Sequence, residues 1–177
     1  MQKHITLTNN LNLTITQAQP DDAKQIITYL NAIGGQTDFL TFGLNEFHIS
    51  EEEEKTILTQ SLKNNLSLFL VGKINNKVIS ILSLQRSDKA RLAHVGELGL
   101  SVLQKYWGLS IGKHLMLTGI EWAKNNSITK LQLTVHTNNE RAIGLYKKFG
   151  FVIEGTLTQT VKIDSTYFDT HIMGLII

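Results

Sequence analysis

The 177-residue sequence contains no cysteine and only one proline, and no run of apolar residues approaches the length of a membrane-spanning helix. The absence of cysteine excludes disulfide bonds, thiolate metal sites and any mechanism that passes through a covalent cysteine intermediate. It fits a reducing compartment. Because the residues after Met1 are polar and do not form an apolar signal segment, we expect a cytoplasmic protein that does not associate with membranes.

An excess of charge of one sign is also absent, because the formal net charge is only +2 and lysine and arginine form no run. Proteins that bind nucleic acid generally carry a basic patch, so we expect no nucleic-acid partner. The histidines have no partners at metal-ligand spacing, and we expect no bound metal. The composition is that of a globular protein, and its length suits a single domain over residues 1–177.

Alternation and helical periodicity predict elements in the order β-α-α-β-β-β-α-β-α-β-β. A capping box at Ser50 and Glu53 starts the second helix, and Asn75 and Asn76 suit a tight hairpin. The expected fold class is α+β, a mixed central sheet of about seven strands flanked by about four helices. The apolar residues 174–177 form a candidate edge strand for pairing, so a monomer and a homodimer both remain open.

Residues 36–50 are rich in phenylalanine but lack clean periodicity. One interpretation is a loop that packs its aromatic side chains beneath itself. The other is a lid over a substrate pocket, because binding residues often lie on loops. On the second interpretation Phe39 and Phe42 are candidate substrate-binding residues, together with His136 at the end of a later strand.

Residues 96–116 predict a strand, a loop of small residues and then a helix. Small residues let the loop curl and expose its backbone N–H groups, and the helix N-terminus adds a partial positive charge. Such an arrangement suits a phosphate group, although a loop with two glycines before a helix is also an ordinary connection.

Residues 97–151 resemble the GCN5-related N-acetyltransferase (GNAT) family. The family pattern Asn-x-x-Ala-x-x-Leu-Tyr-x-x-x-Gly-Phe is met in full by Asn139, Ala142, Leu145, Tyr146, Gly150 and Phe151. The phosphate pattern Arg/Gln-x-x-Gly-x-Gly/Ala is met in part, since Trp107 replaces Arg or Gln and Ser110 replaces the first glycine. The predicted order of elements is also similar to that of this family.

The resemblance implies that acetyl-CoA is the co-substrate and that its acetyl group moves directly to a primary amine, on a small molecule or on a peptide N-terminus. It implies that backbone groups hold the pyrophosphate and the pantetheine arm. The implied cofactor-binding residues are Leu100, Ser101, Val102, Trp107, Gly108, Leu109, Ser110, Ile111, Gly112, Lys113, Asn139, Ala142 and Tyr146. A non-catalytic acyl-CoA-binding regulatory domain of the same fold is the alternative.

Ser110 suits the phosphate loop only if its φ is negative, because positive φ strains a residue that has a Cβ. As the residue before the predicted helix, it is also a candidate N-cap. Asn139 is either a helix N-cap or a pantetheine contact, and the two roles are compatible because one amide both donates and accepts.

The candidate catalytic residues are Tyr146 and Glu97. Tyr146 either packs in the core or protonates the departing thiolate of coenzyme A, the role that the resemblance implies. Glu97 lies in an otherwise apolar strand, where a carboxylate needs a reason. It is either the general base, acting directly or through water, or the partner of Arg86 or Arg91 in a salt bridge.

Overall fold

The computed structural model describes residues 1–177 and contains four α-helices and one mixed sheet of eight strands. The strands are β1 (Gln2–Thr6), β2 (Asn12–Gln17), β3 (Ser67–Ile74), β4 (Lys77–Arg86), β5 (Val95–Val102), β6 (Lys130–His136), β7 (Val152–Ile163) and β8 (Thr166–Ile176). The helices are α1 (Ala23–Gly34), α2 (Glu51–Lys63), α3 (Ile111–Asn125) and α4 (Glu140–Lys148), and short 3₁₀ turns lie at Pro20–Asp22 and Gln104–Tyr106. The expected fold class is confirmed, with one strand more than the expected seven.

The additional strand is β1, which pairs antiparallel with β2 from Gln2 opposite Thr16 to Thr6 opposite Asn12. It is five residues long and lies at the edge of the sheet, where none of its residues is fully buried. A short, exposed edge strand produces little hydrophobic alternation, which is why the periodicity of the sequence does not reveal it.

The strands lie in the order β1-β2-β3-β4-β5-β6-β8-β7, and only the β5–β6 pair is parallel. The C-terminal strand β8 is therefore inside the sheet, between β6 and β7. The expectation that residues 174–177 form an edge strand is wrong, because β7 occupies that edge.

The sheet separates two hydrophobic clusters. The larger cluster joins α3 and α4 to one face, with Leu115, Met116 and Tyr146 against Leu98 and its neighbours. The smaller cluster joins α1 and α2 to the other face; it contains Ala18, Ala23, Ile26, Tyr29, Ile33, Leu58, Val71, Val78 and Ile81. Alternate residues of a central strand therefore enter different clusters, as the two-residue period of a strand requires.

Local signals in the sequence define several element boundaries. Ser50 and Glu53 form the predicted capping box at the start of α2. Asn75 and Asn76 turn the β3–β4 hairpin with φ of 49° and 60°, and Gly150 ends α4 with φ of 92°. None of the helices is long and apolar enough to cross a membrane.

Candidate active site

Strands β5 and β6 separate part of the way along their length. They pair in parallel only from Val95 to Glu97, whereas β5 stays paired with β4 as far as Val102. The backbone groups of residues 98–102 that face β6 therefore have no strand partner. An open strand edge can bind an extended ligand as an added strand, and the predicted contacts Leu100, Ser101 and Val102 lie on this edge.

The loop that follows β5 presents six consecutive backbone donors. Trp107 and His114 donate their backbone N–H groups to the carbonyls of Gln104 and Ser110, but no N–H group of residues 108–113 donates within the protein. Three of these groups belong to the first turn of α3, where a helix offers no internal acceptor. Free N–H groups at the positive end of a helix form a site for an anion.

Ser110 adopts a left-handed conformation in this loop. Its φ is 61° and its ψ is 15°, so the condition that a serine suits the loop only with a negative φ is not met. The loop leaves its N–H groups free all the same, with Ser110 in a strained conformation. The serine side chain makes no capping hydrogen bond either, although Ser110 precedes the first residue of α3. A left-handed conformation costs a residue with a Cβ about 1–2 kcal/mol, which gives the physical reason for a glycine at this position of the family pattern.

The two glycines of this loop have different roles. Gly108 has φ of 83°, and a Cβ built there would meet no atom within 4 Å. At Gly112 a Cβ would lie 3.2 Å from Leu145 Cδ2 and 3.5 Å from Leu100 Cδ2. Gly108 therefore permits the turn, and Gly112 permits the close approach of α3 to α4 and β5.

Trp107 joins the loop to the end of β5. Its indole Nε1 donates a hydrogen bond of 2.7 Å to the carbonyl oxygen of Val102. The guanidinium carbon of Arg141 lies 4.5 Å from the centroid of the indole. No pattern in the sequence points to Arg141, because only the fold brings the first turn of α4 over this loop.

Asn139 caps α4, because its side-chain oxygen accepts a hydrogen bond of 3.2 Å from the backbone N–H of Ala142. Its amide nitrogen makes no hydrogen bond within the protein, since Asn139 has no other side-chain bond. The cap is therefore formed, and the side-chain donor remains available to a ligand.

Tyr146 packs its ring in the core, where it is only 7% exposed and its centroid lies 5.8 Å from that of Phe151. Its hydroxyl makes no hydrogen bond within the protein. The enclosed side-chain atoms without a partner are Ser80 Oγ and Arg86 Nε, so the Tyr146 hydroxyl retains some contact with solvent. Burial raises the pKa of Tyr146 to about 12, which keeps the hydroxyl protonated at neutral pH.

Glu97 is exposed and forms no ion pair. Of the two alternatives for Glu97, the salt bridge is not formed: neither Arg86 nor Arg91 forms an ion pair, and Arg86 donates to the carbonyl of Asn126 at 3.0 Å. Glu97 occupies the last paired position of β5 with β6, opposite Gln132, and it lines a cleft of about 340 Å³. Its carboxylate is thus free to meet a ligand.

Glu97 and Tyr146 belong to opposite faces of the sheet. Glu97 and Ser101 share a face of β5, and Tyr29 of α1 donates to Ser101 Oγ, which identifies that face as the one under α1. Tyr146 lies in the cluster beneath α3 and α4 on the other face. The gap between β5 and β6 is where a ligand on one face can meet a ligand that lies along the strand edge.

An aromatic group lies at the far end of β6. The buried ring of His136 lies 5.6 Å from that of Phe39, edge to face, and 5.8 Å from that of Phe168. Burial lowers the pKa of His136, and the nearby charge of Asp38 opposes that shift without cancelling it. Phe39 therefore brings the 36–50 loop against a predicted site residue.

Phe42 lies elsewhere, although it belongs to the same loop. Its ring packs 5.7 Å from that of Phe47, and it contacts the cluster beneath α1 and α2. The structure thus brings Phe39 and His136 together but does not bring Phe42 to them. One part of the loop packs beneath itself, and another part lies against His136 at the end of β6.

The chain is similar in sequence to known proteins. Residues 37–151 match the sequence profile of the acetyltransferase (GNAT) family. The chain is 31% identical over 106 residues to the L-amino acid N-acetyltransferase AaaT of Escherichia coli strain K12. That match covers 59% of this chain and 65% of AaaT, so it spans slightly less than two thirds of the relative's length.

Solved structures share the fold. An acetyltransferase of the GNAT family from Streptococcus pneumoniae superposes with a TM-score of 0.90 at 32% identity, over 93% of this chain and 99% of that chain. The yncA protein of Salmonella typhimurium, solved with its cofactor acetyl-CoA, superposes with a TM-score of 0.81 at 18% identity, over 93% of this chain and 94% of that one. The second likeness, at this low identity, concerns the fold alone. The open edge of β5 and the free N–H groups before α3 agree with this likeness. The matched profile shows that the chain belongs to the GNAT family of acetyltransferases.

Proposed function

We propose that this protein transfers the acetyl group of acetyl-CoA directly to a primary amine. The observation that carries the proposal is that two sets of unpaired backbone groups follow one another in the chain. The unpaired edge of β5, residues 98–102, is followed after one short turn by the six free N–H groups of residues 108–113. A ligand with an amide-containing arm followed by a pyrophosphate matches such a surface, because the edge suits amides and the loop suits anions.

Backbone groups would make most of the contacts with coenzyme A. The amides of residues 108–113 would bind the pyrophosphate, and the edge at Leu100 and Ser101 would pair with the pantetheine arm. At Val102 the indole of Trp107 already uses one of the two lone pairs of the carbonyl oxygen. The free side-chain nitrogen of Asn139 is an additional donor for the arm.

Glu97 is the proposed base for the acceptor amine, acting directly or through a water molecule. Its value depends on the acceptor, because neutralising an alkylamine of pKa about 10.4 at pH 7 costs about 4.6 kcal/mol. Neutralising a peptide or amino acid α-amine of pKa about 7.8 at pH 7 costs only about 1 kcal/mol. The amine nitrogen then forms a bond to the thioester carbon as the carbon–sulfur bond breaks, and a backbone N–H group of β5 polarises the carbonyl.

Tyr146 is proposed to act on the leaving sulfur. With a pKa of about 12 its hydroxyl is a full hydrogen-bond donor at neutral pH. The hydroxyl would donate a hydrogen bond to the departing thiolate and then give it the proton, which solvent replaces on the tyrosine.

The proposed acceptor is a small molecule with a primary amine, and an amino acid α-amine is the first candidate. AaaT acts on L-amino acids by name, and the aromatic rings of Phe39 and Phe168 beside His136 suit an acceptor with an apolar group. A peptide N-terminus presents the same α-amine and is the second candidate.

Release of free thiol from acetyl-CoA tests the proposal across a panel of L-amino acids, polyamines, aminoglycosides and N-terminal peptides. We expect amine-dependent thiol release together with an acetylated product for at least one class. Heat of binding with acetyl-CoA but no turnover with any amine would instead identify a regulatory acyl-CoA-binding domain. Absence of binding would reject both.

A further inference from the structure

Three cationic side chains border the loop of residues 107–113, and none of them forms an ion pair. They are Lys105, Lys113 and Arg141, all exposed. The chain itself places two of the three, since Lys105 lies 4.8 Å over the ring of Tyr106, its neighbour in sequence, and Lys113 belongs to the first turn of α3 that ends the loop. Arg141 does not belong to the loop and is held there by a contact across the fold.

The position of Arg141 does not stabilise its own helix. It lies in the first turn of α4, where the helix dipole favours a negative side chain and disfavours a positive one. It also makes no side-chain hydrogen bond within the protein. A guanidinium that neither pairs nor stabilises its own helix, yet lies against the indole of another segment, suggests a ligand outside the chain.

Trp107 fixes that position. The indole is fastened to the end of β5 by its bond to Val102, and its ring face receives the guanidinium at 4.5 Å. Stacking on an aromatic face leaves the five N–H donors of the guanidinium free at its rim. The guanidinium is therefore pre-oriented beside the six free N–H groups of the loop.

We propose that Arg141 binds a phosphate group of the acyl-CoA donor, with Trp107 as the residue that positions it. A planar guanidinium can hold two phosphate oxygens at once, which suits this role better than a lysine would. The inference rests on the proposed function, because it concerns the same donor. Arg141 would supply from α4 the cation that the motif often supplies from position 107, where this chain has a tryptophan that stacks instead of pairing.

The phosphates of coenzyme A come from two sources, the pyrophosphate and the 3′-phosphate, and the test separates them. Affinity is measured by titration calorimetry with acetyl-CoA and with acetyl-dephospho-CoA, which lacks only the 3′-phosphate. S-acetylpantetheine, which lacks all the phosphates, is compared by its kcat/KM. The variants are Arg141→Met, which keeps an unbranched side chain on the indole, and Arg141→Lys, which keeps the charge.

Lys162→Met is the matched control, because Lys162 also lies over an aromatic ring, that of Tyr167 at 5.4 Å, on the β7–β8 hairpin. Arg141→Met is expected to weaken the binding of acetyl-CoA about tenfold, because it removes a charge-assisted hydrogen bond. Lys162→Met is expected to leave that affinity unchanged. An equal loss with acetyl-dephospho-CoA places Arg141 on the pyrophosphate, and no loss places it on the 3′-phosphate. Arg141→Lys should fall between wild type and Arg141→Met.

A double variant tests the positional exchange. Trp107→Arg combined with Arg141→Met returns a guanidinium to the motif position and should regain part of the affinity lost by Arg141→Met alone. Wild-type affinity of Arg141→Met for both nucleotides would overturn the inference, as would an equal loss of kcat/KM with S-acetylpantetheine, which indicates a structural role. Failure of the unaltered protein to bind acetyl-CoA would reject the donor itself and is distinguishable from either result.

Discussion

The hydroxyl of Tyr29 on α1 donates a hydrogen bond of 2.8 Å to Ser101 Oγ on β5. Ser101 is a predicted contact of the pantetheine arm, yet its side chain is engaged with α1. Its contribution to a ligand on the strand edge must therefore come from its backbone. Burial also raises the pKa of Tyr29, so the hydroxyl is a neutral donor across the ordinary pH range.

Ser101→Ala should destabilise the protein without weakening acetyl-CoA binding. The variant removes the acceptor of the buried Tyr29 O–H group, which costs about 1–3 kcal/mol of unfolding free energy in urea denaturation. Combining it with Tyr29→Phe removes both polar groups and should recover part of that stability. A loss of acetyl-CoA affinity at unchanged stability would show that the Ser101 side chain itself contacts the donor.

Replacements of Ser110 distinguish backbone strain from capping. Ser110→Gly removes the strain of a left-handed serine, about 1–2 kcal/mol, and adds the backbone entropy of glycine, about 0.5–1 kcal/mol, so a gain of about 0.5–1 kcal/mol is expected. Ser110→Ala should match the wild type, because the serine side chain makes no capping bond. Urea denaturation provides the measurement, and destabilisation by both variants would mean that the hydroxyl caps α3 after all.

Tyr146→Phe should lower kcat about a hundredfold and leave the dissociation constant of acetyl-CoA unchanged, because the proposed role of the hydroxyl is to act on the leaving sulfur. Since the pKa of Tyr146 is about 12, the activity of the wild type should show no loss from its ionisation below pH 10. Steady-state kinetics from pH 6 to pH 10 and titration calorimetry measure both effects. Unchanged turnover would remove Tyr146 from the mechanism.

The same pKa predicts how stability depends on pH. Tyr146 ionises near pH 10 in the unfolded chain but near pH 12 in the folded one. Its contribution is therefore complete below pH 10 and is lost as the pH rises towards 12, because the unfolded chain releases its proton first. In urea denaturation, the free energy of unfolding should fall more steeply with pH for the wild type than for Tyr146→Phe over this range. Identical slopes of unfolding free energy against pH would contradict the assigned effect of burial.

Glu97→Gln should affect alkylamine acceptors more than α-amines. The proposed base takes a proton from the acceptor amine. At pH 7 the free energy of deprotonating the amine is about 4.6 kcal/mol for an alkylamine and about 1 kcal/mol for an α-amine. The loss of kcat/KM should shrink as the pH rises towards the pKa of the amine. Glu52→Gln, an exposed carboxylate on α2, is the control. Equal effects of the two variants would leave water as the base.

Phe39 and Phe42 should respond differently to replacement by alanine. Phe39 borders His136, so Phe39→Ala should raise the KM of the acceptor and preserve acetyl-CoA affinity. Phe42 packs on Phe47 and the α1–α2 cluster, so Phe42→Ala should mainly lower stability, by about 2 kcal/mol for a partly buried ring. Kinetics and urea denaturation of the pair give the comparison. The assignment fails if Phe42→Ala alters the acceptor KM and Phe39→Ala does not.

The sequence predicts those features that local chemistry determines. The capping box at Ser50, the left-handed turn at Asn75 and Asn76 and the cap at Asn139 all require particular side chains at particular places, and each is present in the structure. The edge strand β1 escaped prediction because few of its residues enter the core. At Ser110 the curl of the loop imposes a positive φ that a serine disfavours, so local preference points to the wrong conformation.

The remaining features of the site depend on contacts between distant segments. No spacing in the chain indicates that Trp107 bonds to Val102, that Arg141 stacks on Trp107, or that the free hydroxyl of Tyr146 and the carboxylate of Glu97 belong to opposite faces of the sheet. These relationships arise from the crossing of α4 over the loop and from the separation of β5 and β6. They become visible only when the chain is folded.

The central claim is that the open edge of β5 and the loop before α3 present acetyl-CoA to an amine beside Tyr146. Mass spectrometry of an L-amino acid panel incubated with acetyl-CoA and either wild-type protein or Tyr146→Phe tests it most directly. The account predicts an N-acetylated amino acid that forms with the wild type and about a hundredfold more slowly with Tyr146→Phe. Equal rates of product formation for the two proteins, or no acetylated amine with the wild type, would contradict it.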